Sequence, residues 1–227
     1  MDGGMGQELL ARGMKSKSSL WSANAILNKK YHKLVLDIHL DFIKAGAEII
    51  VTTTFATRKK RLQENKIGNK FEYLNQKAGE IALKAKKKFP SVLIAGGLPP
   101  QNLTYEADNR DQKQITKDMY NQAKILNPYV DFFYFDVWSS IKEVKCGIKA
   151  IEKFKKPYLI GIHISEGTNL PSGEKISEIK NLIDDKLLGI LLACVSPENF
   201  ENNVKELKNL NVPFGFKLNG FKTTKVK

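Results

Sequence analysis

Three observations predict an α/β fold with a parallel sheet. Six apolar runs recur along the chain, each short enough for a strand and continuous rather than alternating. Each run is followed by an amphipathic helical stretch or by the end of the chain. Neither G-x-G-x-x-G after a strand nor G-x-x-x-x-G-K-[ST] occurs, which argues against a nucleotide-binding doubly wound sheet. The regular strand–helix repeat therefore favours a (β/α)8 barrel, incomplete, with about six of eight strands visible.

Each element has its own justification. Asp2-Gly3-Gly4-Met5-Gly6 predicts a tight turn with free backbone N–H groups, and Glu8–Met14 a short helix. Leu20–Ala23 opens a further segment. Tyr31–Lys44 reads as a helix that Ala45-Gly46-Ala47 ends. Glu48–Phe55 (EIIVTTTF) is β-branched and reads as a strand. Lys59–Asn69 is polar and turn-like. Phe71–Lys88 carries Leu74, Ala78, Ile81, Ala82 and Ala85 at helical spacing and stops before Pro90. Val92–Leu98 is a strand that Pro99-Pro100 closes, and a polar loop runs to about Asp111. Gln114–Ile125 is a helix, Asp131–Trp138 an aromatic strand, and Ile141–Phe154 a helix. Tyr158–Ser165 is a strand after Pro157, and Ser177–Asp184 a helix. The apolar run from Leu187 to Cys194 is a strand, Asn199–Leu210 a helix and Val212–Asn219 the last strand. The basic tail, Lys222–Lys227, reads as a frayed end.

Composition excludes some classes. No apolar run reaches the ~20 residues of a membrane span, and no signal pattern opens the chain, so no membrane association and a cytoplasmic setting are expected. Two cysteines, Cys146 and Cys194, make no disulfide framework. The net charge of +13 invites a nucleic-acid reading. Only Arg12, Arg58, Arg61 and Arg110 are arginines, however, and base or phosphate clamps favour the arginine fork. Lysines scattered over helix faces read as a solvated surface, so no nucleic-acid partner is expected.

Chemistry is expected around Lys186–Phe200. There an apolar strand ends in Cys194, and Ser196-Pro197-Glu198-Asn199 opens a helix. The carboxyl ends of parallel strands are where such folds keep their reactive groups. The alternative is a small core hydrophobe. Cys146 lies mid-helix among apolar neighbours and reads as core. His163, near the end of its strand, shares a face with Gly161 and Ser165, and reads either as a structural histidine or as a metal ligand. His32 and His39 lie on a helix expected outside the barrel, His39 as a packing or capping group.

Several blocks in order, D-G-G-M-G-x-E-L from Asp2, L-W-S-A from Leu20, His39 with Ala45-Gly46-Ala47, and T-T-T-F from Thr52, resemble the homocysteine S-methyltransferase family. The likeness continues through Ala95-Gly96, Asp131 with Asp136, Cys194 with Pro197-Glu198, and Asn219-Gly220. It implies a single homocysteine-binding barrel domain over residues 1–227, shortened at both ends, with the first and last strands missing. An oligomeric partner or a further segment would then close the open seam. The resemblance also implies a Zn2+ ion held by three cysteine thiolates, with homocysteine sulfur in the open position and its methyl donor beside it. Cys194 matches the ligand from the sixth strand. Asp2, Gly3 and Gly4 match the loop that lies against homocysteine, Asp136 the group aimed at its amino nitrogen, and Trp21 and Phe55 the pocket walls; Asn219 belongs to the same set. The G-G-C-C pair that supplies two family ligands is not in this chain, and Ala193 replaces the Asn before the ligand cysteine. Cys194, His163 and Asp136 form an alternative ligand set. Two functions are thus expected: methyl transfer to homocysteine giving methionine, or a non-catalytic barrel of the same descent that binds a small molecule or a partner subunit.

Overall fold

A computed structural model describes residues 1–15 and 19–219. The expected fraying of Lys222–Lys227 lies outside the described residues. The helices are α1 (Met5–Ala11), α2 (Ala23–Leu27), α3 (His32–Lys44), α4 (Lys59–Glu64), α5 (Phe71–Lys88), α6 (Gln112–Leu126), α7 (Ile141–Ile151) and α8 (Pro197–Lys208). The strands are β1 (Ile49–Val51), β2 (Leu93–Leu98), β3 (Phe132–Trp138), β4 (Tyr158–Ile162), β5 (Leu187–Val195) and β6 (Phe214–Leu218). They form one sheet in the order β1-β2-β3-β4-β5-β6. A doubly wound sheet reverses its strand order at a switch point; this one never does, which is barrel topology with six of eight strands. Among the described residues no helix is long and apolar enough to cross a membrane.

The chain divides into two compact units, residues 1–99 with 121–133, and residues 100–120 with 134–227. In the first, β1 pairs in parallel with β2, Ile49 opposite Leu93 and Val51 opposite Ala95. Its helical core gathers Leu9, Ile26, Val35, Ile38, Leu62 and Leu74, all fully buried. Beside it runs a buried polar network. Asn75 Oδ1 accepts from Thr57 Oγ1 at 2.7 Å and from Gln122 Nε2 at 2.9 Å, while Asn75 Nδ2 donates to the Phe71 carbonyl at 2.8 Å. Every partner is satisfied, the condition under which buried amides stabilise a core.

In the second unit β4 pairs with β5 and β5 with β6, all parallel. Phe135 stacks on Trp138 at 4.1 Å and on Tyr158 at 5.3 Å between ring centroids. Trp138 fits because Gly147 of α7 has no side chain; a Cβ there would lie 2.0 Å from Trp138 Cη2. Val137 has φ +69°, a genuine outlier for a β-branched residue. This breaks the strand's alternation and turns Trp138 to the face that Phe135 occupies. Tyr134 and Asp136 are left on the opposite face, where Gly161 of β4 makes room: a Cβ there would sit 2.7 Å from Tyr134 Oη.

Three expectations about elements need correction. The strand expected over Glu48–Phe55 is only Ile49–Val51. Thr52 Oγ1 accepts from Gly97 N at 3.0 Å and Thr54 Oγ1 donates to the Gly97 carbonyl at 2.7 Å, so side chains replace the ladder. Lys59–Asn69 is not turn but α4 followed by a 3-10 turn at Gly68–Lys70, anchored by the fully buried Leu62. One apolar residue in six leaves no period to read. The helix expected at Ser177–Asp184 is a 3-10 segment, Ile176–Leu182, whose start is held by Lys175 N donating to Glu178 Oε1 at 3.1 Å.

Candidate functional site

The carboxyl ends of β3 to β6 carry the chemistry of the second unit. In β5, Ala193 pairs with Lys217 and Val195 with Leu218, so Cys194 is the extra residue of a β-bulge. Its φ of +57° is left-handed, which costs an ordinary residue roughly 1–2 kcal/mol. Bulges of this kind re-aim side chains at sheet rims. Two bonds hold the distortion: Asn219 N donates to the Val195 carbonyl at 2.9 Å and Asn219 Nδ2 to the Cys194 carbonyl at 2.6 Å. Asn219, expected to touch substrate, holds the cysteine's backbone through its Nδ2.

The Cys194 side chain is half-buried and not packed away in hydrocarbon. The hydroxyl of Tyr105, from the loop after β2, donates a hydrogen bond to it. Burial, and then the negative charge of Asp136, push the Cys194 thiol up to about 11, against the opposing pull of Lys217 and Tyr105. At neutral pH the sulfur is a thiol. Asp136 itself is buried, and burial raises its carboxyl; the charge of Lys217 and the nearby Tyr134 side chain pull it back. The Lys217 ammonium lies 5.7 Å from the centroid of the Tyr134 ring.

His163 is fully buried and packs its ring 4.5 Å from that of Tyr105. Burial lowers it to about 4, so the imidazole is neutral. Its Nδ1 lies 3.2 Å from the Ala193 carbonyl and its Nε2 3.0 Å from Ser165 Oγ. A carbonyl only accepts, which assigns the proton to Nδ1 and leaves Nε2 accepting from the serine. His163 could ligate a metal only after losing Ser165. Among the described residues no three His, Cys, Asp or Glu side chains gather to hold a metal ion. Cys146 is 2% exposed and its sulfur faces the Gln112 carbonyl at 3.7 Å. A three-thiolate zinc centre does not fit these residues; Cys194 offers one ligand.

The first unit carries the remaining expected positions. Asp2 is buried, with its backbone N donating to the Ile49 carbonyl at 2.8 Å and its Oδ2 accepting from Val51 N at 2.9 Å. The N-terminal loop is thereby fastened to β1. His39 Nδ1 lies 3.7 Å from Asp2 Oδ2 and Nε2 3.5 Å from Thr53 Oγ1. Full burial lowers this histidine to about 4, so it packs as a neutral ring, the role expected of it. Gly3 and Gly4 stay exposed. Trp21 is 41% exposed and its indole lies over Gly6, where a Cβ would come within 1.8 Å of Nε1. Phe55 is half-buried.

A model of the family described as homocysteine S-methyltransferase matches residues 1–225. The chain belongs to the homocysteine S-methyltransferase family. Its curated relatives include homocysteine S-methyltransferase 2 of Saccharomyces cerevisiae, 27% identical over 205 residues that cover 82% of this chain and 63% of that protein. A second is homocysteine S-methyltransferase 2 of Zea mays, 24% identical, covering 87% of this chain and 66% of the relative. Family membership thus rests on nearly the whole chain, although the chain spans only about two thirds of these relatives. The crystal structure of the apo homocysteine methyltransferase MmuM from Escherichia coli superposes with a TM-score of 0.76 at 19% identity, over 96% of this chain and 80% of that one. At that identity the likeness concerns the fold.

Sequence reasoning missed Tyr105, Tyr134 and Lys217. Tyr105 sits in a polar loop that has no period. Lys217 was legible: it is the only charge in the strand FGFKL.

Proposed function

We propose that this chain takes part in methyl transfer to the thiol of homocysteine, forming methionine. The observation that carries the reading is the bulged Cys194 with Asp136 beside it, in a chain that matches the family over residues 1–225. Asp136 would accept hydrogen bonds from the substrate ammonium, and the buried carboxylate and the walls around it would exclude water. The acceptor thiol loses its proton to solvent, its sulfur attacks the methyl carbon of a sulfonium or ammonium donor, and the donor leaves uncharged. Asp2, Gly3, Gly4, Trp21, Phe55 and Asn219 are proposed to line the acceptor's pocket, with Cys194 as the one zinc ligand that these residues offer. Free thiols at Cys146 and Cys194 suit a reducing, cytoplasmic setting.

The test is methionine formation from homocysteine with S-methylmethionine or betaine, in the presence of zinc. Turnover that Cys194→Ala reduces at least about 100-fold supports the reading. Absence of methionine with every donor removes it. The lack of a metal-holding group among the described residues favours a second reading, a non-catalytic binder of the same small molecule. That reading expects homocysteine to bind without turnover.

A further inference from the structure

The six strands contain one acidic and one basic residue, Asp136 in β3 and Lys217 in β6. All other strand positions are uncharged. Both charges point to the same place. Asp136 and Tyr134 share the face of β3 opposite Phe135 and Trp138, and Lys217 Nζ lies over the Tyr134 ring. On β6 the neighbouring Phe216 turns the other way, 57% exposed and edge-on to Phe200 of α8 at 4.7 Å. Lys217 is also the register partner of Ala193, beside the bulged Cys194, and its charge acts on both Asp136 and Cys194.

A pair of opposite charges inside a sheet is an expensive way to stabilise a fold. An apolar pair of similar volume is commonly as stable or more so. The two charges flank the only thiol in any strand, at the sheet's carboxyl rim. A carboxylate and an ammonium on either side of a thiol complement a free α-amino acid, which carries both charges on one carbon. We propose that Lys217 is a specificity residue that binds the α-carboxylate of the thiol acceptor, while Asp136 takes its ammonium. The inference rests on the reading of the chain as a homocysteine-binding member of its family. It adds that the acceptor must be the complete amino acid and not merely a thiol amine.

Calorimetric titration of the full chain, under reducing conditions, with L-homocysteine and with 3-aminopropane-1-thiol tests this. The second ligand keeps the thiol and amine and lacks the carboxylate. Losing a charge-assisted contact to a carboxylate weakens binding about 10- to 100-fold, so Lys217→Met is expected to weaken homocysteine by that factor. The same variant is expected to bind 3-aminopropane-1-thiol at least as well as the wild type, because Asp136 loses its competing cation. Lys217→Arg keeps the charge and is expected to stay within about threefold of wild type for homocysteine. Equal weakening of both ligands, or of neither, overturns the assignment of Lys217 and leaves the parent reading standing. If Lys217→Arg loses homocysteine as Lys217→Met does, charge is not the cause and the assignment also falls. A wild-type chain that binds neither ligand removes the parent reading, and this inference with it.

Discussion

The protonation of Cys194 gives the sharpest prediction. Burial and Asp136 lift its thiol from the ordinary 9.0 to about 11. At pH 8 the thiolate fraction then falls from about one in ten to about one in a thousand, a 100-fold loss. A thiolate of higher pKa is the better nucleophile, and with a Brønsted slope of about 0.4–0.5 this returns nearly tenfold. Alkylation by iodoacetamide at pH 8 is therefore expected to run about tenfold slower than for a free thiol, with the midpoint of the rate–pH profile near 11. The assay uses the metal-free protein in a Cys146→Ser background, so that one thiol reports, with circular dichroism confirming the fold at each pH. Asp136→Asn removes a repelling charge and is expected to move the midpoint down; Tyr105→Phe removes a hydrogen bond to the sulfur and is expected to move it up. A wild-type midpoint at or below 9.0, or a midpoint that ignores both substitutions, refutes the arrangement of these four groups.

Further outcomes follow from other parts of the molecule. Burial raises Glu143, whose Oε2 accepts from Ser140 Oγ at 2.8 Å, from 4.5 to about 7. The folded state holds this proton more tightly than the unfolded chain. Its contribution is therefore full below about pH 4.5 and is lost as pH rises through about 7, and Glu143→Gln is expected to flatten urea-measured stability across that window. Asn75→Ala strands Gln122 and Thr57 in the first unit's core and is expected to cost about 3 kcal/mol by denaturant titration; a change under about 1 kcal/mol would show that the network carries no stability. Gly6→Ala drives a Cβ into the Trp21 indole and is expected to shift Trp21 fluorescence to the red, at a cost of about 1–3 kcal/mol; unaltered emission would mean that the indole does not lie on Gly6.

How much was legible in the chain varied with the range of the interactions. The apolar runs VLIAGGL, DFFYFDVW and YLIGIHIS announced β2, β3 and β4 because a strand buried on both faces must be apolar throughout. Cys194 could be singled out as a reactive group at the end of such a run, and Asp136 through the family resemblance. The extent of β1 was not legible, since Thr52 and Thr54 are good strand residues whose hydroxyls are claimed by Gly97. The short helix α4 left no period because only Leu62 is anchored.

Taken alone, the sequence determined the alternation of strands and helices, the family, and the thiol around which chemistry was expected. Each of these depends on residue type and local spacing. Only the tertiary structure decided that Cys194 is the extra residue of a bulge, that Asn219 holds its carbonyl, and that Tyr105 caps its sulfur. It also decided that His163 is engaged at both nitrogens and that Lys217 faces Asp136. These are contacts between residues up to 89 positions apart, as Tyr105 and Cys194 are, and strand register sets them. A one-residue slip between β5 and β6 would turn Lys217 to the opposite face while leaving every local pattern in the sequence unchanged.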